Sequence, residues 1–388
     1  MSGLRVDEHT MPTYKRWPIE IVSGSGCNVT DSEGRTYLDL VAGIAVASVG
    51  HSHPHVVDAI ARQASQLVHV SNLYGTRPQA ELAERLAELV PGSLSFFANS
   101  GAEAIECALK LARKWARLHK GEEATGIVAA EGGFHGRTFG ALSATGQPSK
   151  RAPFEPCVPG FTHVPYGDAR ALAAAVTADT AAVLLEPIQG EAGIVVPPAD
   201  YLRAARAVCD QHGALLILDE IQTGLGRTGR MFGHDGAGIT PDVVCLGKAL
   251  AGGLPMSACL ATEQVAAAFE PGDHATTFGG GPVQSAAALA VLDVIEADGL
   301  VERAETAGAM LMEGLAKIVP EGAVVRGRGL MIGIALPTPD ASALTEKALR
   351  HGLLINNATP DVLRLVPPLV ITDEEIESAL WGLEEVFA

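Results

Sequence analysis

The run Leu215-Leu216-Ile217-Leu218-Asp219-Glu220 sets four large aliphatic residues directly before two acids. A stretch this short, apolar and bounded by polar residues reads as a strand buried on both faces. Ile127 to Ala130, Ala181 to Leu185 and Val243 to Leu246 share that texture, and the first run is counted as the strand Ala214 to Leu218. Helical spacing fills much of the chain around them. Gln79 to Val90 keeps apolar residues at helical intervals until Pro91-Gly92, and Gly101 to His119 opens after Ser100 with Glu103 at capping-box distance. Buried strands with helices between them predict an α/β fold built on a large, doubly wound, mostly parallel sheet.

The pattern changes after about residue 285. Long helical stretches, Val283 to Ala297 and Val301 to Ile318, lead into short strands around Met331 to Leu336 and Leu363 to Val366, then a terminal helix from Asp373. Residues 1–49 contain no crossover unit. The expected division is therefore an N-terminal segment (1–49) packing with a small α+β domain formed by both chain ends, a large ligand-binding domain (50–285) and a C-terminal small domain (286–388).

Composition narrows the function classes. With 28 Lys+Arg against 45 Asp+Glu among 388 residues, the net charge is −17, which disfavours nucleic acid and anionic membranes as partners. Six cysteines without a CxxC pair read as free thiols in a reducing compartment. Residues 1–12 hold no apolar signal core, and the longest apolar stretch, Leu40 to Val49, is about half the length a bilayer crossing needs. The expectation is a soluble, cytoplasmic protein. The 43 glycines follow no collagen period and point to tight turns and close backbone approaches.

Ligands of doubly wound sheets sit at the carboxyl ends of strands, where Asp219 falls. A plain turn-capping acid is the competing reading. Val243 to Leu246 likewise ends in Gly247-Lys248-Ala249, so a lysine also follows a buried strand. Burial lowers a lysine's pKa and makes its amine nucleophilic. An acid and a lysine at neighbouring strand ends suggest pyridoxal 5'-phosphate, which needs an amine for its aldehyde and a carboxylate for its ring nitrogen. Asn99-Ser100-Gly101-Ala102-Glu103, at a helix start, offers backbone N–H groups to a phosphate. Phe134, in the glycine-rich stretch Gly132-Gly133-Phe134-His135-Gly136-Arg137-Thr138, offers a flat apolar cover for the ring.

These runs, together with Gly50-His51-Ser52-His53-Pro54, Glu186-Pro187-Ile188-Gln189-Gly190-Glu191, Asp219-Glu220-Ile221-Gln222-Thr223-Gly224, Thr276-Thr277-Phe278-Gly279-Gly280 and Arg364-Leu365-Val366-Pro367-Pro368, resemble the class III, fold-type I pyridoxal-phosphate aminotransferases. The resemblance runs from about Tyr14 to the C-terminus. It implies that Lys248 is the lysine joined to the cofactor and moving protons, that Asp219 partners the ring nitrogen, and that Gln222 lies near the ring hydroxyl. Ser100, Gly101 and Ala102 would cradle the phosphate, with Thr277 of a second subunit completing it in a homodimer with shared active sites. Phe134 would stack on the ring. Arg137 would grip the donor's α-carboxylate, Arg364 a carboxylate of glutamate or 2-oxoglutarate, and Glu191 would gate Arg364.

Within the family the motifs look most like members that transaminate N2-acetyl-L-ornithine with 2-oxoglutarate in arginine biosynthesis. Small-molecule amino-acid substrates are thus expected. Succinyldiaminopimelate, succinylornithine, ornithine and 4-aminobutyrate remain alternative donors. Asn28 stands roughly where ornithine-specific relatives place a carboxylate-binding tyrosine, which favours an acylated donor. An NAD-dependent dehydrogenase is suggested by Gly224-Leu225-Gly226-Arg227-Thr228-Gly229, but Met231 to Asp242 lacks the helix that the fingerprint requires. A degenerate, non-catalytic scaffold would not need Lys248, Asp219, Arg137 and Arg364 together. His51, His53 and His55 suggest a turn rather than a metal site, because Pro54 breaks their spacing.

Overall fold

The computed structural model describes residues 6–388, so the first five residues of the expected N-terminal segment lie outside the described residues. A seven-stranded sheet forms the centre, in the order Ser93–Ala98, Ser257–Thr262, Val243–Leu246, Leu215–Asp219, Thr180–Leu185, Gly126–Ala130, Phe161–Val164. Only Ser257–Thr262 runs against its neighbours. The strand alternation explains the unbroken apolar runs. Leu215 and Ile217 pack beneath the helix Gly101–Lys120, while Leu216 and Leu218 point oppositely into the layer of Ala169–Ala175 and Tyr201–His212. Both faces are thus covered, and every residue of Thr180–Leu185 is buried.

Of this central sheet the sequence reading omitted three strands: Ser93–Ala98, Phe161–Val164 and Ser257–Thr262. Serine, threonine and histidine interrupt their apolar character, and two of them close the edges of the sheet.

A second sheet, Val324–Arg328, Met331–Ala335, Val362–Leu365 and Asn356–Thr359, is antiparallel throughout. Residues of the helices Leu300–Ile318, Ala341–Arg350 and Asp373–Phe387 share its apolar core. A third sheet joins the chain ends: Thr36–Asp39 pairs in parallel with Leu353–Leu354. Asn28, on a strand of this third sheet, donates to Glu375 Oε1 at 2.9 Å, next to the cap of the terminal helix. That bond ties the third sheet to the start of the terminal helix. Among the described residues no helix is long and apolar enough to cross a membrane.

Candidate active site

The carboxyl ends of the central parallel strands meet the start of the helix Gly101–Lys120. Asp219 ends one strand, in register with Cys245 of the next, and Lys248 follows that neighbour after Gly247. Lys248 has φ +41°, a left-handed backbone that an L-residue adopts at a cost of order 1–3 kcal/mol. Its backbone therefore occupies a conformation that the surrounding packing must hold in place. Burial pushes the Lys248 amine down to about 8, and the Arg364 charge pushes the same way, against the opposing pull of Glu191, Asp219 and Glu186.

Asp219 is 4% exposed, and its Oδ2 pairs with His135 Nδ1 at 2.8 Å. Burial opposes charge on His135, but the Asp219 hydrogen bond and charge prevail and raise its pKa. His135 Nε2 is buried without a partner among the described residues. Behind Asp219 lies Glu186, whose Oε1 accepts from Phe134 N–H at 2.9 Å and whose Oε2 accepts from Gly190 N–H at 3.0 Å. One buried carboxylate thus ties the loop of Phe134 to the loop of Glu191. Burial and the nearby Asp219 push Glu186 up to about 7, although the His135 charge and both N–H bonds favour its ionised form.

The helix start has the chemistry of an anion cradle. Ser100 Oγ accepts from Glu103 N–H at 3.3 Å, which leaves its hydroxyl proton free to donate. Gly101 and Ala102, in the first helical turn, have N–H groups with no intrahelical acceptor. A Cβ on Gly101 would stand 2.8 Å from Ile221, and Gly247 would bring its own Cβ 3.5 Å from the Gly101 Cα. Glycine at position 101 is what lets the helix start lie this close to Ile221 and the strand ends. A phosphate here, an amine at Lys248 and a carboxylate at Asp219 lie around one space, so the residues fit pyridoxal phosphate.

The expected substrate groups gather beside it. Arg364 is 1% exposed, and its Nη1 bonds Glu191 Oε1 and reaches Gln222 Oε1 at 3.4 Å; its Nε donates to Asn356 Oδ1 at 3.2 Å. Burial opposes ionisation of Glu191, but Arg364, Lys248 and Lys150 together lower its pKa. Gln222 is buried against Gly190, where a larger residue would overlap its amide. Phe134 is half-buried, with Arg137 Cζ 5.5 Å and Lys150 Nζ 4.6 Å from its ring centroid. Arg137 itself is exposed.

Thr277 is not brought to this cradle by any described bond. It is exposed, while its neighbour Thr276 accepts from Asn99 Nδ2 at 3.2 Å through Oγ1. The histidine cluster is divided among separate partners: His51 Nε2 pairs with Asp39 at 2.8 Å and His55 Nε2 with Asp293 at 3.4 Å. Gly224 to Gly229 forms turns with no helix following, so the helix that a dinucleotide fingerprint requires is absent there. His135, Glu186, Asn356 and Lys150 were not singled out from sequence. His135 and Glu186 lay inside quoted motifs, but their partners are remote in the chain, at Asp219, Phe134 and Gly190.

Residues 10–387 match the family model described as class-III aminotransferase. The chain is 50% identical to an acetylornithine aminotransferase of Methanopyrus kandleri over 98% of its length and 97% of that protein. It is 52% identical to one of Mycobacterium tuberculosis over 97% of its length and 93% of that protein. Among solved structures, an ornithine aminotransferase of Toxoplasma gondii superposes with a TM-score of 0.95 at 36% identity, covering 98% of this chain and 93% of that one. An acetylornithine aminotransferase of Elizabethkingia anophelis superposes with a TM-score of 0.88 at 35% identity, covering 98% and 96%.

Proposed function

The chain belongs to the class-III aminotransferases, and from that premise we propose that it transfers the δ-amino group of N2-acetyl-L-ornithine to 2-oxoglutarate. The products are N-acetyl-L-glutamate 5-semialdehyde and L-glutamate, a step of arginine biosynthesis. Pyridoxal phosphate, when bound, supplies the aldehyde that carries the amino group and a ring that accepts the electron pair.

The chain's own groups divide the work. Lys248, its amine held near 8, is available as a base close to neutral pH and would carry the proton between the substrate carbon and the cofactor. Asp219, oriented by His135, would hold the ring nitrogen's proton. Gln222 would lie near the ring hydroxyl, and Phe134 would cover the ring. Ser100, Gly101 and Ala102 would receive the phosphate. Arg137 would take the donor's α-carboxylate.

The observation that carries the two-substrate reading is the buried Arg364–Glu191 pair. An isolated buried guanidinium is costly, and a donor with an uncharged far end cannot neutralise it. Glu191 supplies the counter-charge in the donor half-reaction and yields Arg364 to the second carboxylate of 2-oxoglutarate in the other.

The surface around Thr277 supports a homodimer with shared sites. Val68, Leu73, Tyr74 and Phe278 are all at least 60% exposed there, a cluster of large apolar side chains that a second copy would cover. Thr277 would then reach the partner's phosphate. Six free cysteines, five of them buried, support a cytoplasmic setting.

The test compares N-acetylornithine, the two succinylated donors, ornithine and 4-aminobutyrate with 2-oxoglutarate as acceptor. N-acetylornithine is expected to discharge the enzyme's visible absorbance band and to give the highest kcat/KM. A band left unchanged by N-acetylornithine rejects the donor assignment.

A further inference from the structure

Lys150 sits on the short helix Pro148–Arg151, its ammonium 4.6 Å from the centroid of the Phe134 ring. It is half-buried, and among the described residues no carboxylate lies within ion-pair distance of it. Burial lowers its pKa; Glu191 and Glu186 pull upward, while Arg137 and Arg364 push downward. The influence is mutual, since Lys150 also helps hold Glu191 ionised. Geometry joins the two: Lys150 rests on the Phe134 ring, and Glu186 holds the Phe134 N–H and the N–H of Gly190, the residue before Glu191, so the ammonium and the gate stand on loops tied to one carboxylate, over an aromatic face that offers a cation only weak compensation.

Charge counting gives this position a role. In the donor half-reaction three cations, Arg137, Arg364 and Lys150, face the donor carboxylate and Glu191, while Glu186 is engaged by the Phe134 and Gly190 N–H groups. In the acceptor half-reaction 2-oxoglutarate brings two carboxylates for the two arginines, and Glu191 loses its partner. A half-buried carboxylate set free without a counter-ion would resist release. We propose that Lys150 is the counter-ion that receives Glu191 when the dicarboxylate takes Arg364. Lys150 is then a positioning residue that sets the enzyme's affinity for its dicarboxylate partner. It leaves the Phe134 face in one half-reaction and returns to it in the other. This inference rests on the two-substrate reading above.

The experiment measures binding of glutarate, a dicarboxylate with no reactive keto group, to the cofactor-loaded enzyme by calorimetry, alongside single-turnover rates of the two half-reactions. Lys150→Gln should raise the glutarate dissociation constant and the KM for 2-oxoglutarate roughly tenfold, the scale of one half-buried ion pair. The donor half-reaction should stay within about twofold. Lys150→Arg should restore glutarate binding. In a Glu191→Gln background, where no carboxylate needs a new partner, Lys150→Gln should leave glutarate binding unchanged. An equal or larger loss in the donor half-reaction would assign Lys150 to the donor carboxylate and overturn the proposal, as would unchanged glutarate binding in Lys150→Gln. If N-acetylornithine fails with the wild type while glutamate still reacts, the donor assignment falls and the glutarate test of Lys150 is unaffected.

Discussion

Lys248 must be neutral to attack an aldehyde, so the rate at which the apoprotein captures pyridoxal phosphate should report its ionisation. With the amine held near 8, about 10% of the molecules are neutral at pH 7. An ordinary lysine at 10.5 would be about 0.03% neutral, so the fold raises the reactive population roughly 300-fold. The capture rate should climb about tenfold per pH unit up to near pH 7.5, bend around 8 and level off above about 9. The cofactor's phosphate titrates near 6 and would distort the lower limb. A second readout avoids it: the apoprotein is labelled at each pH with a trace of neutral acylating reagent, and modification of the Lys248 peptide is counted by mass spectrometry. Substitutions provide the sign. Glu191→Gln removes a charge that favours the ammonium, so the bend should move to lower pH; Arg364→Met removes one that disfavours it, so the bend should move higher. A rate rising tenfold per unit through pH 10 in both assays would refute the reasoning, because it would mean that burial does not depress this amine.

Other expectations can be checked with single variants. Lys248→Ala should abolish transamination with an unchanged circular dichroism spectrum, and retained turnover would remove its role. Glu191→Ala should slow the N-acetylornithine half-reaction more than the glutamate one, since only the former leaves Arg364 buried without a carboxylate; equal losses in single-turnover spectroscopy would remove the gate. His135→Phe should weaken cofactor retention about tenfold, measured by equilibrium dialysis, because Asp219 loses its 2.8 Å partner while the Phe134 loop stays tied to Glu186. Gly101→Val should reduce phosphate affinity by a similar factor, since its Cβ would meet Ile221 and push the helix start from the strand ends. Inorganic phosphate binding to the apoprotein reads that effect without catalysis.

Much of the scaffold was legible because burial on both faces leaves no room for polar residues. Leu215 to Leu218 and Val243 to Leu246 are apolar at every position, so strand, layer and the placement of Asp219 and Lys248 at neighbouring strand ends follow together. The omitted strands lack that signature. Ser257–Thr262 begins with Ser257, whose hydroxyl donates to Ser100 O at 2.7 Å and so serves the helix start, at the expense of an unbroken apolar pattern. The supporting groups were harder to read. Glu186 acts through the backbone N–H groups of Phe134 and Gly190, which leave no mark in side-chain chemistry. Lys150 was hidden for a related reason: its neighbours Phe134, Arg137, Glu191 and Arg364 come from three distant segments, and only the fold brings them together.

The overall charge and the local charge pull in opposite directions, and distance decides between them. A chain with net charge −17 repels anionic amino acids and 2-oxoglutarate at long range, yet screening reduces that repulsion beyond about 8 Å at physiological ionic strength. On the proposed reading the carboxylates would meet Arg137 and Arg364 inside the cleft, and the desolvated Arg364 would experience little of that screening. A fixed cationic site of this kind would suit one dianion and penalise a donor with a single carboxylate. As the proposed gate, Glu191 would remove the conflict by being an anion the protein can relocate, so that Arg364 would not stay buried without a partner. Such relocation is cheap only if the carboxylate has somewhere to go. Of the groups whose charges act on Glu191, Lys248 is committed to the cofactor and Arg364 to the substrate, which leaves Lys150.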